Sequence, residues 1–490
     1  MVQSKVNEDP DVSVESLIEV IRSKIFLKVP YYKAARARKK ALSNTYGDFD
    51  SSYQYLESYL NKYAEQNPGS IVDLTKNGDR FFRCFFAPIQ ALNAAKLSLP
   101  IIFLDATFGK TSSKGMMLLA TCIDGLLKTQ FVAIGFVENE SGRSWGYFLQ
   151  KLKAALPEFN REDFTFVSDR DKGLDTALAD SFPRAKHAIC LRHLTANVET
   201  RFKKGRYSQM IWELAKADNE DSFNSILDNI REQNVAVAQY LERSGFQNWA
   251  LLKFQGSRFG HLTSNIAESS NNSIMKERNL PITTALKSFV EKIAKRFEDR
   301  VQKVRGREEI SSQVEAIISV NSENIGNATV TRYGPSKYVV TQHRKDFIVD
   351  LQYRSCTCLL FQDLLIPCKH AMAVLGRYFS VDNAKNLLHS AYLVENVKTA
   401  FNQTFQPIIL TQLTRDNLLP PVVHRRRGAP KISRQQGIQD FVRSVSQRSS
   451  PNGSQVEQPE RAPKRSHKCS ICMMEGHNKR SCANRERTQN

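Results

Sequence analysis

The chain has 490 residues, a net charge of +20 and 41% hydrophobic residues, which allows two to four domains with their own cores. This positive charge favours polyanionic partners, nucleic acid above all. No apolar run approaches the roughly 20 residues that span a bilayer, and the N-terminus lacks the apolar core of a signal peptide, which argues against a membrane or secreted protein.

Residues 1–66 are predicted to form a basic helical arm, because apolar residues recur at helical spacing in 14–21 and 53–63. Between them, residues 22–40 carry eight Lys or Arg and no acidic residue. This run is either a solvated helix face or a DNA-contacting surface, and two tyrosines lie within it. The predicted DNA contacts are Lys33, Arg36, Arg38, Lys39 and Lys40.

Residues 67–310 are predicted to form an α/β domain with an RNase H-like mixed sheet. Three of its strands are closely spaced and joined by turn-like segments, which indicates an antiparallel meander. A helix between Ser141 and Pro157 then precedes a buried strand, a helix and a short strand. The predicted strands are 71–75, 80–87, 101–108, 116–124, 130–138, 164–168 and 186–190, and the two helices are 144–156 and 173–181.

The remaining segments follow from changes in composition along the chain. Residues 195–258 are rich in helix formers, which predicts a helical insertion, and helices are expected at 264–277 and 284–305. A small domain is predicted at 330–380, a helical segment at 381–418 and a disordered basic linker at 419–465. Residues 420–490 hold 15 Lys or Arg against 5 Asp or Glu, so this tail is expected to bind a polyanion.

Two acidic residues stand at strands that neighbour each other in an RNase H-like sheet. Asp105 interrupts an apolar run and Asp169 ends a buried strand; a lone carboxylate there would simply cap a turn. Two adjacent carboxylates raise each other's pKa unless a cation lies between them, and Mg²⁺ held this way promotes phosphodiester chemistry. Glu268, on the helix after the insertion, is the best third acid, whereas Asp171 and Asp175 are weaker alternatives.

Several motifs resemble the core of Mutator-like element (MULE, MuDR-type) transposases. They are the strand with Asp105-Ala-Thr-Phe and the segments 166–174, 190–197 and 265–271, and the resemblance covers most of 40–410. It implies a DDE transposase that cleaves and joins double-stranded DNA at terminal inverted repeats and target sites. It also implies Asp105, Asp169 and Glu268 as catalytic residues and ligands of Mg²⁺ (or Mn²⁺).

The resemblance further implies a homo-oligomer that acts in the nucleus. Family members commonly carry a zinc-binding recognition module ahead of the helical arm, and this chain starts at the arm. Either the copy is shortened, or DNA recognition lies in residues 11–64 and the tail. A rival hypothesis is a domesticated transposase-derived transcription regulator, similar to the far-red-impaired family, that binds DNA without cutting it. An RNA-binding protein is a third hypothesis, which leaves the three acids without a role.

Seven of the nine cysteines lie in three clusters with histidines, which indicates metal binding in a reducing compartment. One cluster has the spacing C-x-C-x₉-C-x-H, which suits a tetrahedral structural Zn²⁺ and resembles a SWIM zinc finger. Core cysteines with a chance histidine are the alternative. The predicted ligands are Cys356, Cys358, Cys368 and His370.

The last cluster, at 466–484, has the spacing C-x₂-C-x₄-H-x₄-C and resembles a CCHC zinc knuckle, a nucleic-acid-binding module. A redox cysteine pair would not explain its histidine. The predicted ligands of this second Zn²⁺ are Cys469, Cys472, His477 and Cys482.

The other chemistry-bearing residues give weaker signals. Cys190 and His193 lie one helical turn apart and are interpreted as a structural pair, because two ligands do not complete a metal site. Cys84 and Cys122 have apolar neighbours and are expected in the core. Basic runs at 425–431 and 463–468 are either solvated charges or nuclear localisation and minor-groove contacts. From the first run, Arg425, Arg426 and Arg427 are predicted to contact DNA.

Overall fold

A seven-stranded mixed sheet lies at the centre of the computed structural model, in the order β1-β2-β5-β4-β3-β6-β7. The structure describes residues 1–9, 12–109, 115–169, 173–202, 207–262, 273–274, 277–323, 325 and 327–422. The strands are β1 (Ile71–Asn77), β2 (Arg80–Ala87), β3 (Ile101–Phe108), β4 (Met116–Ile123), β5 (Thr129–Val137), β6 (Thr165–Ser168) and β7 (Lys186–Ile189).

The pairing of these strands confirms the predicted RNase H-like order. Strands β3, β4 and β5 form an antiparallel meander, and β6 then pairs with β3, and β7 with β6, in parallel. The crossover from β5 to β6 runs through helix α6 (Gly142–Ala155), as a parallel connection requires. The carboxyl ends of β3, β5 and β6 therefore meet at one edge of the sheet.

Helices cover both faces of this sheet, because its central strands are apolar on both sides. On one face, Trp145 and Phe148 of one helix and Leu174 of the next pack against β3, β4 and β5. On the other face, Phe289 and Ile293 belong to the core that covers β2, β4 and β5. The covering helices are α4 (Leu56–Gln66), α5 (Ile89–Lys96), α6 (Gly142–Ala155), α7 (Leu174–Ser181), α12 (Ile282–Lys303) and α16 (Val394–Phe401).

Local sequence signals explain where these helices begin. The Ser141 side chain accepts a hydrogen bond from the Ser144 amide, as the predicted cap of α6 should. Gly173, at a φ of 82°, precedes α7. A β-carbon there would approach the Gly142 Cα to 3.0 Å, so this close contact between the two helix starts requires glycine.

Three helices form the N-terminal arm: α1 (Val2–Glu8), α2 (Val14–Ile25) and α3 (Tyr31–Tyr46). Val6 of α1 packs on Ala41 and Leu42 of α3 in a small core of their own. The opposite side of α3 is exposed and carries most of its basic residues.

The predicted insertion is helical, and its four helices enclose a separate apolar cluster around Trp249. Cys84 and Cys122 are buried in the sheet, as expected from their neighbours. No helix in the described ranges has the length and hydropathy to cross a membrane. The insertion helices are α8 (Leu191–Phe202), α9 (Ser208–Lys216), α10 (Glu220–Gln233) and α11 (Val235–Arg243).

A smaller four-stranded sheet, in the order β11-β10-β9-β8, follows α13 (Ser312–Glu323). It packs with two helices, and Leu364, Leu365 and Ile366 share a core with Ile101 and Phe103 of the large sheet. We call residues 329–378 the zinc module. Its elements are β8 (Thr329–Arg332), β9 (Lys337–Gln342), β10 (Lys345–Asp350), β11 (Ser355–Cys356), α14 (Leu360–Leu364) and α15 (Lys369–Tyr378).

Two parts of the sequence-based prediction fall beyond what the structure describes. Only 273–274 and Glu277 of the helix predicted at 264–277 are described, and Glu277 begins a 3₁₀ turn that ends at Asn279. The chain after 422, with the basic linker and the predicted knuckle, is outside the described residues. The predicted helix at 284–305 is α12, two residues earlier at each end.

Candidate active site and zinc site

Asp105 and Asp169 lie at the same level of two adjacent parallel strands. The register pairs Ile101 with Thr165 and Phe103 with Val167. The same offset, continued by two residues, sets Asp105 beside Asp169, which directly follows β6. Neighbouring strands are about 4.8 Å apart, so the two carboxylates emerge together at this edge of the sheet.

The environment of Asp105 opposes its ionisation. The carboxylate is half-buried and accepts a hydrogen bond from the Ala106 amide at 2.9 Å. Burial is the main cause that raises its pKa from 3.8 to about 7, and the charges of Asp169 and Glu140 add to the effect. The Ala106 hydrogen bond and the nearby His193 act in the opposite direction. A cation at this edge would stabilise the ionised carboxylates.

His193 belongs to this acidic edge, which the sequence-based interpretation as a structural pair did not capture. The hydrogen bond with the Cys190 thiol is the largest cause of the raised pKa of His193, and the charges of Asp169 and Asp105 raise it further. Cys190 directly follows β7, and its amide donates to the Ser168 carbonyl at 2.8 Å. The first turn of α8 therefore presents the imidazole to both carboxylates.

Glu140 is a second residue that sequence reasoning missed. Its charge reaches Asp105 because β5 ends at the same edge as β3 and β6. The signal was present in the sequence, since two glutamates follow β5 directly and the meander had been predicted. Because β3 and β5 run in the same direction, an acid that follows β5 is expected near the carboxyl end of β3.

The remaining acidic candidates and two nearby histidines have other environments or lie outside the described residues. Asp175 lies on α7, is exposed, and approaches the His187 Nδ1 to 3.7 Å. His187 also contacts the Ser168 hydroxyl through Nε2 at 2.8 Å, so its ring is satisfied. Burial lowers the pKa of His261 to about 4, and this ring packs edge-on against Phe103. Glu268 and Asp171 lie outside the described residues.

The predicted SWIM ligands come together in the zinc module. Cys356 ends β11, Cys358 precedes α14, and Cys368 and His370 stand at the start of α15. All four are buried, and their ligand atoms lie within 4.8 Å of one another. Three sulfurs and one imidazole nitrogen at this spacing fit a tetrahedral Zn²⁺.

The surroundings of these ligands also suit a metal. The His370 Nδ1 lies 3.5 Å from the Cys356 sulfur, and its ring stacks on Phe347 with centroids 3.8 Å apart. Hydrogen bonds among the three thiols lower the pKa of Cys358 and raise the pKa of Cys356, and the pKa of Cys368 is raised as well, so the cluster shares its protons when no metal is bound. The second predicted zinc site, with Cys469, Cys472, His477 and Cys482, lies outside the described residues.

Comparison with protein families gives two matches, and both fall on these sites. Residues 101–197 match the MULE transposase domain, and residues 347–379 match the SWIM zinc finger. The chain contains a MULE transposase domain and a SWIM zinc finger. The MULE match includes Asp105, Asp169 and His193, and the SWIM match includes all four clustered zinc ligands.

Two known proteins align with part of this MULE- and SWIM-containing chain. The PKS-NRPS hybrid synthetase cheA of Chaetomium globosum is 25% identical over 207 residues, which are 41% of this chain and 4% of that protein. Protein FAR1-RELATED SEQUENCE 6 of Arabidopsis thaliana is 24% identical over 230 residues, which are 44% of this chain and 31% of that protein. The matches therefore span less than a third of either relative.

The basic residues predicted to contact DNA differ in their environments on α3. Lys33, Arg36, Lys39 and Lys40 are exposed, and the spacing of three or four residues sets them along one face. Arg38 is half-buried, and its Nε donates to the Val12 carbonyl at 2.7 Å, so it also ties α3 to the segment before α2. The contacts predicted for Arg425, Arg426 and Arg427 lie outside the described residues.

Proposed function

We propose that this protein is a metal-dependent DDE transposase that cleaves DNA strands at the terminal inverted repeats of its element and joins them to target DNA. The observation that carries the proposal is the parallel register of β3 and β6, which sets Asp105 beside Asp169. The match of residues 101–197 to the MULE transposase domain supports it independently.

The residues at this edge would have two roles, metal binding and contact with the phosphate. Asp105 and Asp169 would hold Mg²⁺ or Mn²⁺, which activates an attacking oxygen and stabilises the leaving one when bound. Water would attack in the cleavage step, and the freed 3′-hydroxyl in the joining step. His193, adjacent to both carboxylates, would balance their charge and contact the phosphate.

Glu268 is proposed as the third acid, and the anchoring of the chain on both sides supports this role. Before it, the Leu262 carbonyl accepts from the Leu191 amide at the start of α8. After it, the Arg278 Nε donates to the Phe108 carbonyl at the end of β3, at 2.8 Å. The intervening chain thus starts and ends beside the elements that carry His193 and Asp105.

The exposed face of α3 is proposed as a DNA-binding surface. It holds Lys33, Arg36, Lys39 and Lys40, and α3 contains no acidic residue that would offset them. Phosphate contacts by such residues supply sequence-independent affinity. Nuclear localisation and action as a homo-oligomer are part of the same proposal, since the substrate is chromosomal DNA and two ends must be joined.

A strand-transfer assay on the element's own ends, in Mg²⁺ or Mn²⁺, tests the catalytic proposal. Asp169→Asn is expected to reduce cleavage and joining by at least 1,000-fold while DNA binding persists, because the basic surfaces remain intact. Asp175→Asn, an exposed acid on α7, is the matched control and should retain activity. Equal activity of wild type and Asp169→Asn would refute the proposal.

A DNA-binding regulator without cleavage activity is the second candidate, and the partial identity with Protein FAR1-RELATED SEQUENCE 6 favours it. The same assay distinguishes the two functions. A regulator would bind DNA specifically and yield no strand-transfer product with either metal, and Asp169→Asn would then change nothing.

A further inference from the structure

A short loop, residues 257–262, lies between the zinc module and the catalytic sheet, and we call it the bridging loop. On the zinc side, four hydrogen bonds connect it to two consecutive residues of α14, Gln362 and Asp363. These bonds run from Ser257 Oγ to the Gln362 carbonyl (2.6 Å), from the Arg258 amide to Asp363 Oδ1 (2.7 Å), from the Phe259 amide to the Asp363 carbonyl (3.1 Å) and from the Gly260 amide to Asp363 Oδ2 (2.9 Å).

Asp363 holds the bridging loop in a conformation that it would not adopt readily alone. Phe259 has a φ of 53° and Gly260 a φ of 74°, and both values lie in the left-handed region. A residue with a β-carbon, such as Phe259, disfavours that region. The Asp363 carboxylate, which is buried, accepts from the amides on either side of Phe259 and so fixes this turn.

The same short helix is joined directly to a zinc ligand. The Gln362 side-chain amide donates to the Cys356 carbonyl and accepts from the Cys356 amide, both at 3.0 Å. Cys358 stands two residues before α14, so the helix that carries Asp363 starts within the ligand set. The position of Asp363 therefore depends on the zinc-binding geometry.

On its other side, the bridging loop contacts three of the four elements that form the acidic edge, namely β6, β3 and α8. The Thr165 hydroxyl of β6 donates to the Ser257 carbonyl at 2.8 Å. His261 packs on Phe103 of β3 with ring centroids 5.9 Å apart, and the Leu191 amide of α8 donates to the Leu262 carbonyl at 2.9 Å. These partners lie four, two and two residues before Asp169, Asp105 and His193.

We infer that the zinc module positions the catalytic pocket through the bridging loop, and that Asp363 is the positioning residue that connects them. The inference rests on the proposed function only in treating the acidic edge as catalytic. The zinc module is then a structural part of the active site. Glu268 follows the bridging loop in the sequence, six residues after Leu262.

The test uses the full chain and the variant Asp363→Asn. The Asn side chain can accept from only one of the Arg258 and Gly260 amides, and its NH₂ group lies against the second amide. Hydrogen exchange of the bridging loop, Mn²⁺ binding in the absence of DNA, and zinc content are measured. We expect at least tenfold faster exchange of residues 257–262 and about tenfold weaker Mn²⁺ binding, with zinc content unchanged.

Asp350→Asn is the matched control, because Asp350 is also buried in the zinc module and accepts from two amides. Those amides belong to Gln352 and Tyr353, within the module itself, at 3.0 and 3.2 Å. This variant should leave loop exchange and Mn²⁺ binding at wild-type values. Equal effects of the two variants would show a general loss of module stability and overturn the inference.

Ser257→Ala keeps the test decisive if Asp363→Asn does not fold, since it removes one of the four bonds without changing a residue of the zinc module. It should accelerate exchange of the bridging loop with zinc retained. Wild-type exchange and Mn²⁺ binding in the folded variants would overturn the inference. If the wild type shows no strand-transfer activity but the variants change loop exchange and Mn²⁺ binding as expected, the proposed catalysis is refuted and the positioning role is supported.

Discussion

Replacing Asp105 by Asn should make the metal-free protein more stable at pH 8, although it removes the proposed catalysis. Burial raises the pKa of this carboxyl from 3.8 to about 7, so its ionised form is disfavoured in the folded state. Asn has nearly the same shape and no charge. The variant therefore removes an unfavourable buried charge without opening a cavity.

The size of the effect follows from the pKa. At about 1.4 kcal/mol for each pKa unit, the shift corresponds to about 4 kcal/mol when Asp105 is ionised in both states. Because the side chain is only half-buried, solvent screens part of this energy, and we expect about 2 kcal/mol. The sign follows from linkage: the stability that Asp105 contributes is complete below pH 3.8 and lost as the pH rises to about 7.

The assay is urea unfolding of wild type and Asp105→Asn between pH 4 and pH 8 in a chelator-treated, zinc-retaining preparation. The difference in unfolding free energy should be near zero at pH 4 and reach its maximum above pH 7. Addition of Mn²⁺ at ten times its Kd should then stabilise the wild type alone, by about 1.4 kcal/mol. Asp180→Asn, an exposed acid on α7, is the control and should change stability by less than about 0.5 kcal/mol.

Two results would refute this reasoning. A variant that is less stable than wild type at pH 8 without metal would mean that the ionised Asp105 makes net favourable contacts in the folded protein. A difference that does not vary with pH would mean that Asp105 does not titrate between pH 4 and pH 7. In either case the edge would not be a preformed acidic site that needs a cation.

Three further predictions concern the zinc site, the core and the basic helix. Cys368→Ser should lower the zinc content by one ion per chain, measured by elemental analysis, and lower the midpoint of thermal unfolding. Arg300→Met should reduce the free energy of urea unfolding by about 3–5 kcal/mol. It leaves the buried Asp124 carboxylate without the guanidinium that now lies 2.8 Å away. Adding Asp124→Asn to the same chain should restore part of the lost stability. The double variant Arg36→Gln/Lys39→Gln should reduce the slope of log K against log salt for DNA binding by about 2, since about 0.9 counterions are released for each phosphate contact.

The docking of the zinc module changes how the chain's organisation is understood. A SWIM finger predicted from spacing alone is expected to fold around its metal as an independent module. In the structure, Leu364 and Ile366 instead complete the core under β3, and the Tyr392 hydroxyl donates to the Leu364 carbonyl at 2.8 Å. Loss of zinc should therefore affect the large sheet as well as the module.

The sequence alone determined the strands of the large sheet, the order of the meander and the Cys/His cluster of the zinc module. Each of these rests on short-range patterns: an apolar run between turn residues, as in 101–108, or the spacing of Cys356, Cys358, Cys368 and His370. Side chains a few residues apart in a regular element or tight turn share a face or a pocket whatever the rest of the chain does. Such features can be read locally, and the structure agrees with them.

Only the tertiary structure decided the role of groups brought together from distant segments. His193 joins Asp105 and Glu140 because three strand ends and one helix start meet at a single edge, and nothing in the sequence around His193 indicates that meeting. Asp363 and the bridging loop are about a hundred positions apart, and nothing in either segment predicts their contact. Buried backbone amides need hydrogen-bond acceptors, and any part of the fold can supply them. Such pairings therefore depend on how the whole chain packs.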